Sequence, residues 1–126
     1  MVSDPLYSKL DESGLGNCII SNTEEFGGFH ILLSFKNGYG ASIIKHRYSL
    51  GYEEGLYEVA PMFSSNEGLV WISEEDMPML EDFNGESYGY LSCEEVISLC
   101  DKIKSYREHK VTPDQFYDDI IGGSSL

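Results

Sequence analysis

The sequence predicts an α+β fold: a small antiparallel β-meander with one longer and one short C-terminal helix packed on a face. Three observations carry that prediction. In residues 29–36, Phe29, Ile31, Leu33 and Phe35 alternate with His30, Leu32, Ser34 and Lys36, the period-two pattern of a strand with one buried side. Asn37-Gly38 follows directly, and Asn-Gly is the strongest short hairpin signal because both turn positions need positive φ. Far along the chain, Ser92-Cys93-Glu94-Glu95 has the form of a capping box, in which Ser92 and Glu95 satisfy each other's backbone N–H.

The elements follow in order. Residues 1–16 carry Pro, Ser, Asp and Gly without periodicity and read as an N-terminal arm with at most a short turn around Leu6–Leu10. A single domain then covers residues 17–121, and residues 122–126 form a tail. Cys18-Ile19-Ile20 is a candidate edge strand, and Gly27-Gly28 opens the alternating strand. The hairpin returns along Tyr39 to Tyr48, and Ser49 to Gly55 forms a loop bounded by glycines. Leu56 to Ala60 resumes a strand that Pro61 is expected to end, since proline cannot donate to a central ladder. A turn at Ser64–Gly68 leads to a strand over Leu69–Ser73, and residues 74–90, with Pro78 and Gly85, read as an acidic connecting loop. After the capping box, Leu91 and Val96 occupy staple positions, and Val96, Leu99, Cys100, Ile103 and Tyr106 form a helical stripe. Lys102, Lys104, Arg107 and Lys110 fall in its second half, where cations suit the helix dipole. Thr112-Pro113-Asp114-Gln115 starts a second, short helix, with Phe116, Tyr117, Ile120 and Ile121 on its apolar side and Gly122-Gly123 at its end.

Composition bounds the function. At 126 residues and 41% hydrophobic content, the chain buries enough apolar surface to offset the entropy of ordering one domain. No apolar run approaches the ~18 residues that span a bilayer, and the first residues lack the basic and apolar regions of a signal peptide. A cytoplasmic location is therefore expected. The odd cysteine count agrees: Cys93 and Cys100 lie two turns apart on one helix face, roughly 10 Å, too far for a disulfide. Eight basic residues stand against 22 acidic ones for a net charge of −14, and no basic residue falls between Arg47 and Lys102. Such a chain repels nucleic acid and anionic membranes and attracts basic partners.

Catalytic signatures are few. The sequence has no G-x-S-x-G elbow, no phosphate loop and no H-E-x-x-H helix. His30, His46 and His109 are scattered, so no metal site or cofactor is expected. Asp82-Phe83-Asn84-Gly85-Glu86 has the centre of a calcium loop, but its register would put Leu80 and Leu91 at ligand positions. His46 with Glu53 or Glu54 is a conceivable general-base pair across the loop. The same stretch suits recognition better, because tyrosines bury a large surface at small entropic cost. Lys45, His46 and Arg47 are its densest positive patch, and with Tyr39, Tyr48, Tyr52 and Tyr57 they form a candidate pocket for an anionic ligand such as a nucleotide. The plain alternative is a hairpin whose tyrosines make cross-strand pairs.

Residues 37–60, NGYGASIIKHRYSLGYEEGLYEVA, and the helix start Gly89-Tyr90-Leu91-Ser92-Cys93-Glu94-Glu95-Val96 resemble a paired pattern found in small uncharacterised bacteriophage proteins. The resemblance spans about residues 29–106 and implies origin rather than chemistry. It leads to the expectation of an acidic accessory protein that binds and inhibits a host factor, a defence or nucleic-acid enzyme, in the host cytoplasm. Glu53, Glu54, Glu58, Glu74, Glu75, Asp76, Glu81, Asp82 and Glu86 would form the acidic face that mimics phosphate in a basic groove. The alternative is a module that sequesters a nucleotide or signalling molecule. Edge strands also leave homo-oligomerisation open.

Overall fold

The computed structural model describes residues 4–65, 68–71 and 87–106. The short helix expected after Thr112, the tail, His109 and most of the acidic loop lie outside the described residues.

The chain begins with a helix where the sequence suggested an arm. Asp4 is the N-cap of α1 (Pro5–Glu12), accepting the Leu6 N–H at 2.9 Å, and Pro5 takes the first helical position. Leu6, Leu10 and the following Leu15 are completely buried. An isolated helix of this length is unstable in water. Burial of the three leucines, worth about 1.5–3 kcal/mol each, holds it in place. Two leucines four residues apart are too short a pattern to reveal a helix, which is why the periodicity missed it.

Five strands then form an antiparallel meander: β1 (Ile19–Glu25), β2 (Gly28–Ser34), β3 (Tyr39–Lys45), β4 (Tyr57–Ser65) and β5 (Gly68–Trp71). A sixth, β6 (Tyr88–Leu91), pairs with β4 beside its start, with Tyr57 opposite Leu91. The sequence placed most of β6 in a connecting loop; its pairing with β4 supplies what its own composition does not. Pro61 does not end β4. It lies between the residues paired with β6, which stop at Val59, and those paired with β5, which begin at Met62. On that side no described residue is paired with it and asks for an N–H.

The alternation expected for β2 holds: Ile31, Leu33 and Phe35 face the core with Ala41 and Ile43 of β3 and Val59 of β4. Over this face lie α1 and the helix α2 (Cys93–Ser105), whose capping box forms as expected, with Ser92 N–H donating to Glu95 at 2.8 Å and Glu95 N–H to Ser92 at 3.2 Å. Val96, Cys100 and Ile103 give α2 its buried side. Burial pushes the Cys100 thiol up to about 12, so it stays protonated and inert.

The Asn37-Gly38 turn differs from the two-residue type expected of it. At Asn37-Gly38 only Gly38 has positive φ, 91°. Phe35 accepts the Gly38 N–H at 3.2 Å and donates to Tyr39 at 2.8 Å, a three-residue loop closed by a glycine bulge. The two-residue turn with positive φ at both positions is Phe26-Gly27, at 48° and 80°. Asn37 does something else. Its Nδ2 donates to the carbonyls of Ile103 (2.8 Å), Tyr106 (3.0 Å) and Lys104 (3.1 Å), while its Oδ1 accepts the Tyr39 N–H at 3.0 Å. The hairpin thus caps the C-terminal end of α2, whose last carbonyls have no helical partner.

Replacing Asn37 by Ala should cost about 1–3 kcal/mol in urea unfolding, the penalty of the orphaned carbonyls. Asn37→Asp should cost more, because a carboxylate cannot donate and opposes the negative end of the helix. Equal stability of the Asp variant and the parent would contradict this role.

Candidate functional site

The end of the sheet where β3 finishes and β4 begins gathers most of the chemistry. Lys45 closes β3, Tyr57 opens β4, and residues 46–56 connect them. Beneath this connection Asp4 joins three elements. Its Oδ2 accepts from Lys45 Nζ at 2.8 Å, and its Oδ1 accepts from the Tyr57 hydroxyl as well as from Leu6 N–H. Lys45 Nζ also lies 4.7 Å from the centre of the Tyr57 ring, and the Cys93 thiol donates to the Tyr57 oxygen at 3.8 Å. Burial alone would raise the Asp4 pKa, but the hydrogen bonds from Lys45, Tyr57 and Leu6 and the Lys45 charge outweigh it, and the carboxyl is held below its ordinary value. Burial, and then the bond to Asp4, push the Tyr57 phenol upward. A cavity of about 740 Å³ opens beside this group, with Tyr7, Phe29, Glu24 and Tyr52 on its walls.

The connection itself is internally bonded. His46 N–H donates to Ser49 Oγ, which donates back to the His46 carbonyl, each at 2.9 Å. His46 Nδ1 accepts the Tyr48 N–H at 3.1 Å, so the ring proton of a neutral His46 lies on Nε2, 4.0 Å from Glu25. Gly51 and Gly55 flank the 3-10 turn Tyr52–Glu54, both with positive φ. A Cβ on Gly51 would lie 3.0 Å from the Tyr90 backbone, so a side chain there would crowd β6 as well as strain the backbone. Leu50 N–H donates to Glu58 at 2.8 Å, and the other Glu58 oxygen takes the Ser87 hydroxyl at 2.5 Å.

This rigid base presents apolar side chains to solvent. Phe26, Tyr48, Leu50 and Tyr90 are 52, 72, 46 and 57% exposed. The Phe26 and Tyr48 rings meet edge to face at 5.0 Å, with His46 5.2 Å behind Phe26 and Arg47 5.8 Å from the Tyr48 ring. Phe26 and Tyr90 both hold positive φ, 48° and 58°, which costs a residue with a Cβ about 1–2 kcal/mol. Glu24, near Phe26 in the chain, and Glu53 and Glu54 on the 3-10 turn are also exposed.

The seven residues expected from sequence to line one ligand pocket are not all brought together. Tyr39 is buried at the opposite end of β3 against Tyr106, 5.4 Å between ring centres. Lys45 and Tyr57 are engaged with Asp4, and His46, only 6% exposed, turns inward. Arg47 and Tyr48 face solvent, while Tyr52 and Lys45 line the cavity beside Asp4. Alternation along a strand separates neighbours that a linear reading groups together. Of the acidic face, Glu53 and Glu54 are exposed on the 3-10 turn, whereas Glu58 is spent on Leu50 and Ser87. Glu74, Glu75, Asp76, Glu81, Asp82 and Glu86 lie outside the described residues.

Sequence reasoning also missed a network on the outer face of the sheet. Ser42 Oγ lies 2.8 Å from His30 Nε2, and His30 Nδ1 lies 3.2 Å from Glu25. The order is that of a nucleophile, base and orienting carboxylate. Ser42 is only 7% exposed, and the network ties β1, β2 and β3 together. The described residues hold no group of three or more potential metal ligands and no helix long and apolar enough to cross a membrane. Comparisons with protein-family models, curated proteins and solved structures gave no match.

Folding depresses the Asp4 pKa, so its contribution to stability is complete above the unfolded value of 3.8 and disappears as pH falls through the lower folded value. Asp4→Asn should be less stable than the parent by about 2 kcal/mol at pH 7. That difference should shrink steadily below pH ~4 in urea melts, because the parent alone loses the charge. A difference independent of pH would contradict the ion pair's role.

Proposed function

We propose that this protein is an acidic recognition module that docks the aromatic end of its sheet onto a basic surface of a partner protein. The observation that carries this reading is the exposure of Phe26, Tyr48, Leu50 and Tyr90 on one end of the sheet, two of them on left-handed backbone. Backbone strain of that kind persists only where surrounding structure enforces it, and it clusters at functional surfaces. Aromatic anchors supply most of the energy of a protein interface, and a polar rim excludes water around them. Here the rim is Glu24, Glu53 and Glu54 on a chain of net charge −14, which selects a cationic partner and speeds the encounter.

The resemblance to small bacteriophage proteins supports a more specific form. The partner is a host enzyme of defence or nucleic-acid metabolism, and the carboxylates occupy its phosphate-binding groove. Inhibition follows from occupancy, with no chemistry required of this chain.

The test is capture of partners from bacterial lysate at low and high salt. A stoichiometric basic protein should be retained at low salt and released at high salt. Tyr48→Ala, and separately Glu53→Lys with Glu54→Lys, should each weaken its binding by about tenfold or more, while Ile20→Ala on the edge strand should not. Capture that is indifferent to all three variants, or no stoichiometric partner, would overturn the reading.

A further inference from the structure

Lys36 in the β2–β3 turn and Lys104 in the last turn of α2 are remote in sequence, yet both line one cavity of about 710 Å³. Asn17, Cys18, Ser34 and Asn37 also form its walls, and among the described residues no carboxylate lines it. In a chain with 22 acidic residues this is a notable exception. Two other cavities are walled by Asp4 and Glu24 in one case and by Glu12, Glu94 and Asp101 in the other.

The other lysines near cavities are neutralised. Lys45 is 2.8 Å from Asp4, and Lys9 is 3.6 Å from Glu94. Among the described residues neither Lys36 nor Lys104 has a carboxylate within 4.0 Å. A lysine in the last turn of a helix is accounted for by the dipole, but Lys36 belongs to a hairpin and has no such reason. The helix carbonyls that would repel an anion are covered, because Asn37 Nδ2 donates to three of them. The bond from Asn37 to the Lys104 carbonyl, 3.1 Å, also fixes the two lysine-bearing segments against each other. Among the described residues the side chains of Asn17 and Ser34 make no hydrogen bond, which leaves an amide and a hydroxyl available in the walls.

We propose that this cavity binds a small phosphomonoester, its phosphoryl group held between the Lys36 and Lys104 ammonium groups. The lysines supply charge-assisted donors. Asn17 and Ser34 donate to and accept from hydroxyls on the carbon skeleton. The volume lies in the range of small-molecule sites and far exceeds a bare phosphate. Among the described residues no aromatic side chain lines the cavity, so the skeleton these walls suit is a polyol such as a sugar rather than a stacked base. The cavity lies at the hairpin end of β2 and β3, opposite the aromatic surface, so this site stands or falls independently of partner docking.

The test is a ¹⁵N–¹H titration of the full chain with ribose 5-phosphate and, separately, inorganic phosphate, at constant ionic strength. Saturable shifts are expected at Asn17, Ser34, Lys36 and Lys104, with a Kd for ribose 5-phosphate of roughly 1 mM or below and at least about tenfold weaker binding of inorganic phosphate. The pair Lys36→Gln with Lys104→Gln should weaken ribose 5-phosphate by about tenfold or more, with its spectrum reporting an intact fold, while Lys102→Gln should change nothing. Equal affinity for the two probes would overturn the phosphomonoester in favour of free phosphate. Shifts that do not saturate, or that Lys102→Gln reduces equally, would overturn the site.

Discussion

The ion pair and hydrogen bonds at Asp4 are the constraint on which the functional end of the molecule depends. Lys45 and Tyr57 are the residues on either side of the connection that bears Tyr48 and Leu50, and Asp4 binds both. It therefore closes the base of that loop from below, so that part of the closure entropy is offset by contacts made outside the loop. Taking a carboxylate and an ammonium out of water is costly. The cost is offset because both Asp4 oxygens are occupied, one by Lys45 and the other by Leu6 N–H and the Tyr57 hydroxyl. Since Asp4 is also the N-cap of α1, the same carboxylate fixes the helix to the sheet.

Above that base the loop needs little further ordering. Ser49 and His46 bond reciprocally, Glu58 holds Leu50, and Tyr90 N–H reaches the Leu50 carbonyl at 3.4 Å. Aromatic residues on such a frame enter an interface without a large loss of backbone freedom, which is how preorganisation turns contact area into affinity. The strain at Phe26 and Tyr90 is sustained by the same frame: the Arg47 N–H bonds the Phe26 carbonyl at 3.2 Å, and Tyr90 lies between β6 pairs and the loop.

Much of this architecture is legible in the sequence because its causes are local. Period-two alternation marks β2, Ser92 and Glu95 mark the start of α2, and Gly51 and Gly55 mark a loop that must turn tightly. What escapes a linear reading depends on partners far away. The cap of α1 is short, and its meaning comes from Lys45, 41 residues on. β6 is a strand because β4 lies beside it. Asn37 signals a turn, but its side chain is committed to carbonyls 66 to 69 residues later. The basic run Lys45-His46-Arg47 looks like one patch and is three environments, whereas Lys36 and Lys104 look unrelated and share a cavity.

The most direct test of the central claim is native-state hydrogen exchange at the Leu50, Leu56 and Tyr90 amides, in the parent and in Asp4→Asn. If Asp4 holds the recognition loop in its bound-ready form, these amides are protected in the parent, and Asp4→Asn lowers their protection by more than it lowers that of the edge strand β1. Exchange of these amides at the rate of an unstructured peptide in the parent, or protection untouched by Asp4→Asn, would contradict the account.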